Sequence, residues 1–570
     1  MRTRKLFRGA LAVVAGAMVA STTGPATAQT AMTYPKVTFA QQDQQVDQVL
    51  SAVNMTRDAE APARGFTGPS AMAVDPNNPR VVVAATADLR SRICYMTVSR
   101  DAGRTWNFSN ELPGSEAYPF CTNLTAGVPT VQVKFGSNGV IYYARQAYGD
   151  GEGPREGKSS ILLARTTDLG NTWQTTMVED NRGKTGETAP SASGVHGLAV
   201  DTSGARDVVH VGYVRSHPDA PAGSPLRRPH VMVATSTDGG DTFAEGVNLN
   251  ATSQVNFTIA GQSVPLIMRT GFGAPFMFAR NGTLLVVAGP EFEPGTAPTA
   301  PEDSGSGGAS GSWFHFALPQ LIARSTDQGQ TFTINTLSPP RYDGTGAMTG
   351  LGWTPHGGPE GTIIAVHAAT PPTSPTSGVA DVVMQRSTDD GVTWSEPLAV
   401  GDAAPDEYTT NFYPNLSVAP NGRVDVIWQS NRGLADNKFS VEYTYSTDGG
   451  ETWAPNMTVS DQPLDFNYGI SFNSDLRYAP GVASTNQYAV FGWAEARQPD
   501  ELNQTQDVYG TSAQFAPLPA TSNTTAPILA AAFGGLVVAG LVLLLAMRLR
   551  GGGGGSPQPA AARQQATAAG

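Results

Sequence analysis

Short runs of alternating apolar and polar residues recur along most of the chain and predict a sheet-rich protein. Two such runs are residues 161–165 and residues 441–445. Apolar residues repeating with a period of two are typical of half-buried strands, and Gly, Pro, Asn and Asp between the runs favour turns. Of the 570 residues, 63 are Gly and 42 are Pro, without a collagen period, and 40% are hydrophobic, which suffices for a large core. The pattern predicts an all-β fold.

One octapeptide, Ser/Thr-x-Asp-x-Gly-x-Thr-Trp/Phe, occurs six times. An Asp side chain can accept backbone N–H groups two residues further on and close a turn, and Gly there can adopt positive φ. We therefore predict that each copy is a hairpin turn with a structural aspartate, and that its aromatic ring packs between neighbouring sheets. The six aspartates are Asp101, Asp168, Asp238, Asp327, Asp389 and Asp448.

This octapeptide is the Asp box, and over roughly residues 66–516 the chain resembles the sialidase-like (BNR repeat) β-propellers. The resemblance implies four-stranded antiparallel blades, and intervals of 59 to 89 residues between successive aspartates leave room for them. A seventh copy of the strand pattern follows the last box and lacks a fourth strand. We predict a seven-bladed propeller, with six blades as the alternative.

The segment before the propeller, residues 29–65, is predicted to close the last blade. We expect residues 34–39, near the start of the exported chain, to supply the missing fourth strand and close the ring. Residues 40–65 would then be a connection, with a short helix near residues 46–53.

Both ends of the chain indicate export to the cell surface of a bacterium. Residues 1–28 combine basic residues, a twelve-residue apolar run and a final Ala-Thr-Ala, which is the pattern of a secretory signal peptide. Residues 526–547 contain no charge and precede Arg548 and Arg550, which predicts a transmembrane helix with its C-terminus inside. Residues 517–525 would be a linker, and residues 548–570 a disordered cytoplasmic tail.

A second mode of attachment stays open. Residues 518–522 read Leu-Pro-Ala-Thr-Ser, which resembles a sortase signal of the Leu-Pro-x-Thr-Gly type with Ser522 in place of the glycine. Covalent attachment to the cell wall is therefore the alternative to a retained membrane helix.

Charge and cysteine content exclude some partners. The formal charge is −12 for the whole chain and −19 for residues 29–525, which argues against nucleic acid as a partner. The only two cysteines, Cys94 and Cys121, are expected to form a disulfide in an exported protein. The seven histidines lack metal-ligand spacing, so we predict no metal site and no cofactor.

The resemblance to sialidases also implies a catalytic set to look for. A sialidase binds its substrate carboxylate through an arginine cluster and uses a Tyr nucleophile with a Glu base and an Asp acid/base. Its first arginine lies in a Phe-Arg-Ile-Pro motif, whereas the matching stretch here, residues 66–69, is Phe-Thr-Gly-Pro, with Thr67 in place of the arginine. This departure counts against hydrolysis of sialic acid. Asp88, Tyr478 and Glu495 remain the catalytic candidates.

Arginines and aromatic residues near strand ends are the candidates for a ligand site. If they share the rim opposite the Asp boxes, they would form an anion or glycan site at the mouth of the pore. The alternative is that each one is solvated or paired with a nearby acid. The candidates are Arg90, Arg145, Arg215, Arg432, Arg477, Arg497, Trp353 and Tyr413.

Three functions are compatible with this sequence. The favoured hypothesis is a surface-tethered, non-catalytic propeller that binds a glycan or an extracellular protein at its funnel. The alternatives are an exo-sialidase-like glycoside hydrolase or lyase with an altered active site, and a scaffold whose long loops, such as residues 291–318, dock a partner protein.

Overall fold

The computed structural model describes most of the part of the chain predicted to be a propeller. All of the described residues belong to one compact unit, Met1–Ala516. Among them, no helix has the length and apolar character needed to cross a membrane. The predicted signal peptide, linker, transmembrane helix and tail lie outside them. The described residues are 34–56, 65–69, 71–108, 120–121, 131–148, 158–252, 255–259, 262–269, 276–293, 319–337, 349–358, 361–369, 380–402, 409–435, 437–465, 480–497 and 506–516.

Seven antiparallel sheets follow one another around a ring, so the prediction of a seven-bladed propeller is confirmed. In each blade the first strand is innermost and the chain then steps outwards. The innermost strands contact one another in cyclic order, the last against the first, and together enclose a central channel. Closure leaves no blade with an exposed lateral face.

The first four blades each take four strands from consecutive stretches of the chain, running from the channel outwards. Blade 1 contains Ala71–Val74, Val82–Asp88, Ile93–Ser99 and Asn107–Phe108. Blade 2 contains Val131–Phe135, Ile141–Ala147, Ser160–Thr166 and Gln174–Glu179. Blade 3 contains Ser191–Asp201, Val208–Ser216, His230–Ser236 and Val247–Asn248. Blade 4 contains Phe276–Arg280, Thr283–Phe292, Leu321–Ser325 and Thr333–Thr336.

The remaining blades follow the same plan. Blade 5 contains Thr349–Thr354, Thr362–Ala369, Asp381–Ser387 and Leu398–Ala399. Blade 6 contains Asn411–Val418, Val424–Ser430, Lys438–Ser446 and Met457–Thr458, with Leu464–Asp465 added to its third strand and Thr452–Trp453 in its Asp box. Blade 7 contains Gly481–Ser484, Tyr488–Glu495 and Asp507–Phe515, and its outer strand comes from the N-terminal segment.

A few short elements lie between the blades. A hairpin of Val255–Ile259 and Gln262–Arg269 pairs with the end of the second strand of blade 4. The described helices are all short, namely Ser137–Gly139, Pro225–Arg227 and Leu249–Thr252.

The strand that closes the ring is Val46–Val49, which pairs antiparallel with Asp507–Phe515 of blade 7. The prediction that residues 34–39 form this strand was therefore wrong, as was the short helix near residues 46–53. Thr38–Phe39 instead pairs in parallel with Thr452–Trp453 of blade 6. The unpaired edge of a long third strand offers a row of hydrogen-bonding groups, and these favour an extended conformation in the segment that meets it.

Each Asp box is a turn held by the hydroxyl and carboxylate groups of the motif. In the first box, Asp101 accepts hydrogen bonds from the backbone N–H of Thr105 at 2.8 Å and from its hydroxyl at 2.6 Å. The hydroxyl of Ser99 donates to Asp101 and accepts from the amide of Gly103, both at 2.8 Å. Gly103 adopts φ +87°, which glycine reaches without steric cost. The aspartate thus reaches four residues along the chain, not the two expected.

The hydrogen bond that the Asp carboxylate accepts from the backbone N–H of the Thr recurs in all six boxes. Hydrogen bonds from the hydroxyls of Thr166 and Thr172 lower the pKa of Asp168 to about 2, so this carboxylate is ionised and engaged. The aromatic residue that ends the motif points inwards, and Trp453 is fully buried between blades 5 and 6. These features are those of a structural turn.

Candidate functional site

The ring has two rims, and the candidate residues are divided between them and the channel. The Asp-box rim carries the Asp-box turns and the turns between first and second strands. The loop rim carries the turns between second and third strands and the connections between blades. Arg477 and Tyr478 lie outside the described residues.

The Asp88 carboxylate is engaged by the backbone around it. Asp88 ends the second strand of blade 1 and is buried. Its Oδ1 accepts from the amides of Gly65 at 3.0 Å and Arg90 at 3.1 Å, and its Oδ2 accepts from Ser91 at 3.3 Å. Asp88 therefore holds the turn and the segment entering blade 1, with Arg90 exposed beyond it.

Thr67, at the position of the first sialidase arginine, is also a structural residue here. It is buried, its hydroxyl accepts the amide of Ala87 at 3.2 Å, and its carbonyl accepts the hydroxyl of Thr86 at 2.6 Å. A guanidinium would not fit these short-range bonds, so this position belongs to the packing of blade 1.

Glu495 and Arg497 form one compact ion-pair network at the end of the second strand of blade 7. Glu495 is buried and accepts from the indole N–H of Trp493 at 2.9 Å, from the amide of Gln462, and from Arg497 at 3.1 Å. Arg497 also bonds Asp461 at 3.0 Å. Both oxygens of the Glu495 carboxylate therefore accept hydrogen bonds from within the protein.

Two further arginines of the loop rim each pair with a carboxylate. Arg215 of blade 3 donates to Glu179, from the outer strand of blade 2, at 2.9 and 2.7 Å. Burial raises the pKa of Glu179, but the hydrogen bonds and charge of Arg215 outweigh it and the pKa is lowered overall. Arg432 of blade 6 forms an ion pair with Asp402 at the end of blade 5. Both pairs link neighbouring blades.

Arg145 is buried inside the loop rim and not at its surface. Its side chain donates to the carbonyls of Phe120 and Gln146, both at 3.1 Å. Burial lowers its pKa to about 10. Phe120 precedes Cys121, which is joined by a disulfide to Cys94 at the start of the third strand of blade 1. Arg145 therefore supports the connection from blade 1 to blade 2.

The two aromatic candidates lie at opposite ends of the ring. Tyr413 lies near the loop rim, on an innermost strand whose pairing register shifts between Phe412 and Asn415. It adopts φ +53°, a strained conformation for a tyrosine, and packs edge-on against Phe412. Trp353 lies at the Asp-box end of its strand and not with the loop-rim residues.

Residues 444–455, which include the sixth box, match the family model of the BNR/Asp-box repeat. The chain carries BNR/Asp-box repeats on a seven-bladed propeller. No curated protein sequence matches it.

Several solved structures are similar to this Asp-box propeller. One is an alpha-L-arabinanase of Penicillium chrysogenum complexed with arabinobiose (15% identity, 70% of this chain and 98% of that one covered, TM-score 0.39). Another is an ulvan lyase, a polysaccharide lyase (13% identity, 81% and 95%, TM-score 0.40). A third is the sialidase of Trypanosoma rangeli with the inhibitor DANA (13% identity, 72% and 56%, TM-score 0.39). Scores of this size carry no inference about activity.

The channel of the Asp-box propeller holds charged residues that sequence reasoning missed. A cavity of about 510 Å³ is lined by innermost strands of all seven blades, and a second of about 1090 Å³ adjoins it at the Asp-box rim. Lys134 of blade 2 lines both cavities, and Arg280 of blade 4 lines the first. The sequence feature that could have revealed Lys134 is the alternation in the strand Val131–Phe135, which places Gln132 and Lys134 on one face.

Arg280 rests on the aromatic candidate of blade 5. Its guanidinium carbon lies 3.5 Å from the ring centroid of Trp353, a cation–π contact. Trp353 thus contributes to the channel as the platform for a cation. Among the described residues, no three His, Cys, Asp or Glu side chains are grouped so that they could hold a metal ion.

Proposed function

We propose that this chain is an exported, membrane-anchored Asp-box propeller that binds a glycan or an extracellular protein at its loop rim without hydrolysing it. The observation that carries the proposal is the hydrogen bonding of the two described catalytic candidates. Asp88 accepts three backbone amides, and Glu495 is held by Trp493, Gln462 and Arg497.

Glycoside hydrolysis needs two carboxyl groups that act on the scissile bond, one as an acid and the other as a nucleophile or base, or a tyrosine in that second role. Both oxygens of Asp88 and of Glu495 accept hydrogen bonds from within the protein, so direct contact with a substrate would require these bonds to break. A non-catalytic site has no such requirement and can use exposed arginines and aromatic rings, such as those around Arg90 and Tyr413.

The catalytic part of the proposal is tested with the purified full chain and a panel of fluorogenic glycosides that includes a sialoside and an arabinofuranoside. We expect no turnover. Turnover that disappears in Glu495→Gln or Tyr478→Phe would establish the exo-sialidase-like alternative in place of the binding module.

The binding part is tested on an array of surface glycans and a panel of extracellular proteins. We expect Arg90→Ala to bind about tenfold more weakly, as for loss of a contact worth about 1.4 kcal/mol. Arg100→Ala is the matched control, because Arg100 is an exposed arginine in an Asp box on the other rim. Equal losses in both variants would contradict a site on the loop rim.

The attachment is tested by fractionating cells that express the full chain. A retained helix over residues 526–547 would keep the protein in the membrane fraction after muramidase treatment, with its tail intact. Release by muramidase together with loss of the tail would instead establish sortase-type anchoring through residues 518–522.

A further inference from the structure

The channel concentrates positive charge in a strongly acidic protein. Its two cavities are lined by four cationic residues, and Asp75 and Asp201 are the only acidic residues among their described lining. The chain as a whole carries 48 acidic residues against 36 basic ones. The four cations are Lys134, Arg280, Arg80 and Arg104.

Lys134 is the cation at the junction of the two cavities. Its side chain is accessible to the water of the channel, yet protein surrounds it on the sides, and this desolvation lowers its pKa. No described carboxylate or other acceptor bonds its ammonium group. A cation in such a confined position costs free energy unless an anion compensates it.

Arg280, at the end of the innermost strand of blade 4, lines the same cavity two blades away from Lys134. The contact with Trp353 restricts the guanidinium, and no described acceptor bonds its N–H groups. No described carboxylate pairs with it. A guanidinium fixed in this way loses little side-chain entropy when it binds an oxyanion.

The two acidic residues of the lining are already engaged by the backbone. Asp201 accepts from the hydroxyl and amide of Ser203 at 2.6 and 3.0 Å and from the amide of Gly282 at 2.6 Å. Asp75 accepts from the amide of Asn77 at 2.8 Å. These contacts hold turns of the Asp-box rim, and neither carboxylate forms a described ion pair with Lys134 or Arg280.

We propose that the channel binds a small oxyanion between Lys134 and Arg280, and that Arg80 and Arg104 favour its approach from the Asp-box rim. The field of four cations in a narrow, protein-walled passage attracts anions and excludes cations. This site is distinct from the loop-rim site proposed above and does not depend on it.

The chemistry of the site suits a phosphate, a sulfate or the carboxylate of an acidic sugar. All three present oxygens that an ammonium and a guanidinium can bind together. A cavity of about 510 Å³ admits a monosaccharide as readily as an inorganic ion. Which of these sources occupies the site is a question for the experiment.

The test is isothermal titration calorimetry of the purified full chain with phosphate, sulfate and glucuronate in turn, at constant ionic strength. We expect at least one of the three to bind, and Lys134→Met to weaken it about tenfold or more, as for loss of a charge-assisted hydrogen bond. Arg280→Gln in blade 4 is expected to have a similar effect. Binding of glucuronate alone would identify a sugar acid, and binding of phosphate or sulfate an inorganic oxyanion.

Lys184→Met is the matched control, because Lys184 lies between blades 2 and 3 and donates to Asn181, outside the channel lining. It should change the affinity less than about twofold. Lys134→Arg keeps the charge and should retain binding, so a loss confined to Lys134→Met is not a general folding defect. The proposal fails if none of the three anions binds, or if Lys134→Met and Lys184→Met weaken binding equally. Loop-rim binding is expected to survive Lys134→Met, which separates the two proposals.

Discussion

On the loop rim, Arg215, Arg432 and Arg497 each lie within hydrogen-bond distance of a carboxylate, whereas Lys134 and Arg280 in the channel form no described ion pair. The rim pairs join one blade or loop to the next and stabilise the ring. Lys134 makes no described contact of this kind, and Arg280 reaches the next blade only through the ring of Trp353. Availability to a ligand therefore depends on what surrounds a charged side chain, and a cluster of arginines at strand ends is not sufficient evidence of a site.

Arg423 is the extreme case of a paired cation, and its loss should have the largest effect. It is fully buried, bonds Asp425 at 2.9 Å, and donates to Gln44 of the N-terminal segment and to carbonyls of blade 7. It also stacks on Phe515 at 3.6 Å. We expect Arg423→Met to lower the free energy of unfolding by about 3–5 kcal/mol, because Asp425 is left buried and unpaired.

Urea-induced unfolding followed by tryptophan fluorescence measures this loss. Arg386→Met is the control, since Arg386 pairs with the exposed Glu451 and should change the stability by less than about 1 kcal/mol. A loss for Arg423→Met as small as that of the control would contradict the role of Arg423 in closing the ring.

His210 differs from both groups of cations, because its buried imidazole is neutral in the folded protein. Burial lowers its pKa to about 4, and its Nδ1 lies 2.9 Å from the hydroxyl of Thr235. An unfolded histidine titrates near 6.5. Stability contributed by His210 is therefore complete above about pH 6.5 and is lost as the pH falls towards 4, by up to about 3 kcal/mol, because only the unfolded chain takes up the proton.

The measurement is the free energy of unfolding at a series of pH values between 7 and 4, for the wild type and for His210→Gln. The variant should lose stability less steeply over this interval. Identical slopes for the two proteins would show that His210 is not buried in its neutral form.

The pair of Glu179 and Arg215 should have a smaller effect. Glu179→Gln removes the carboxylate that accepts two hydrogen bonds from Arg215, and we expect a loss of about 2 kcal/mol at pH 7. Since the pKa of Glu179 is lowered in the fold, this stability is present above the pKa of an unfolded glutamate and is lost as the pH falls through the lower value.

The neighbouring residue provides the control for this pair. Asp180 forms an ion pair with Arg182 in which both side chains are exposed, so Asp180→Asn should change stability by less than about 0.5 kcal/mol. Unfolding curves in urea at pH 7 and pH 4 compare the two variants. Equal losses at pH 7 would mean that the loop-rim pair is no stronger than a surface contact.

The parts of the fold that the sequence predicted depend on local pattern. The Asp boxes and the blade strands lie within short windows, so the alternation and the repeated octapeptide were enough to predict seven blades. The closing strand depends on a partner far along the chain, since Val46 pairs with Phe515. Its own Val-Asp-Gln-Val sequence places apolar residues three apart, which favours a helix in isolation.

The candidate site was harder to predict for the same reason. Glu179, Asp402 and Asp461, which bind Arg215, Arg432 and Arg497, each lie 30 or more positions earlier in the chain, and only the second partner of Arg497, Glu495, is close in sequence. No local pattern indicates such pairs. The channel cations could have been found by asking which face of each innermost strand points to the axis, but only once the blades were known.

Lys134→Met tests most directly whether unpaired cations differ from paired ones in their contribution to stability. It should have the smallest effect on stability of the substitutions considered. In a buffer without phosphate, sulfate or carboxylates, we expect the free energy of unfolding to change by less than about 0.5 kcal/mol or to rise, because the substitution removes a desolvated cation and no described hydrogen bond. With the bound anion in excess, the wild type should gain stability and the variant should not, since a ligand stabilises only the state that binds it. A loss above about 1 kcal/mol without anion would show that Lys134 supports the fold like the loop-rim arginines, and the distinction between the two groups would disappear.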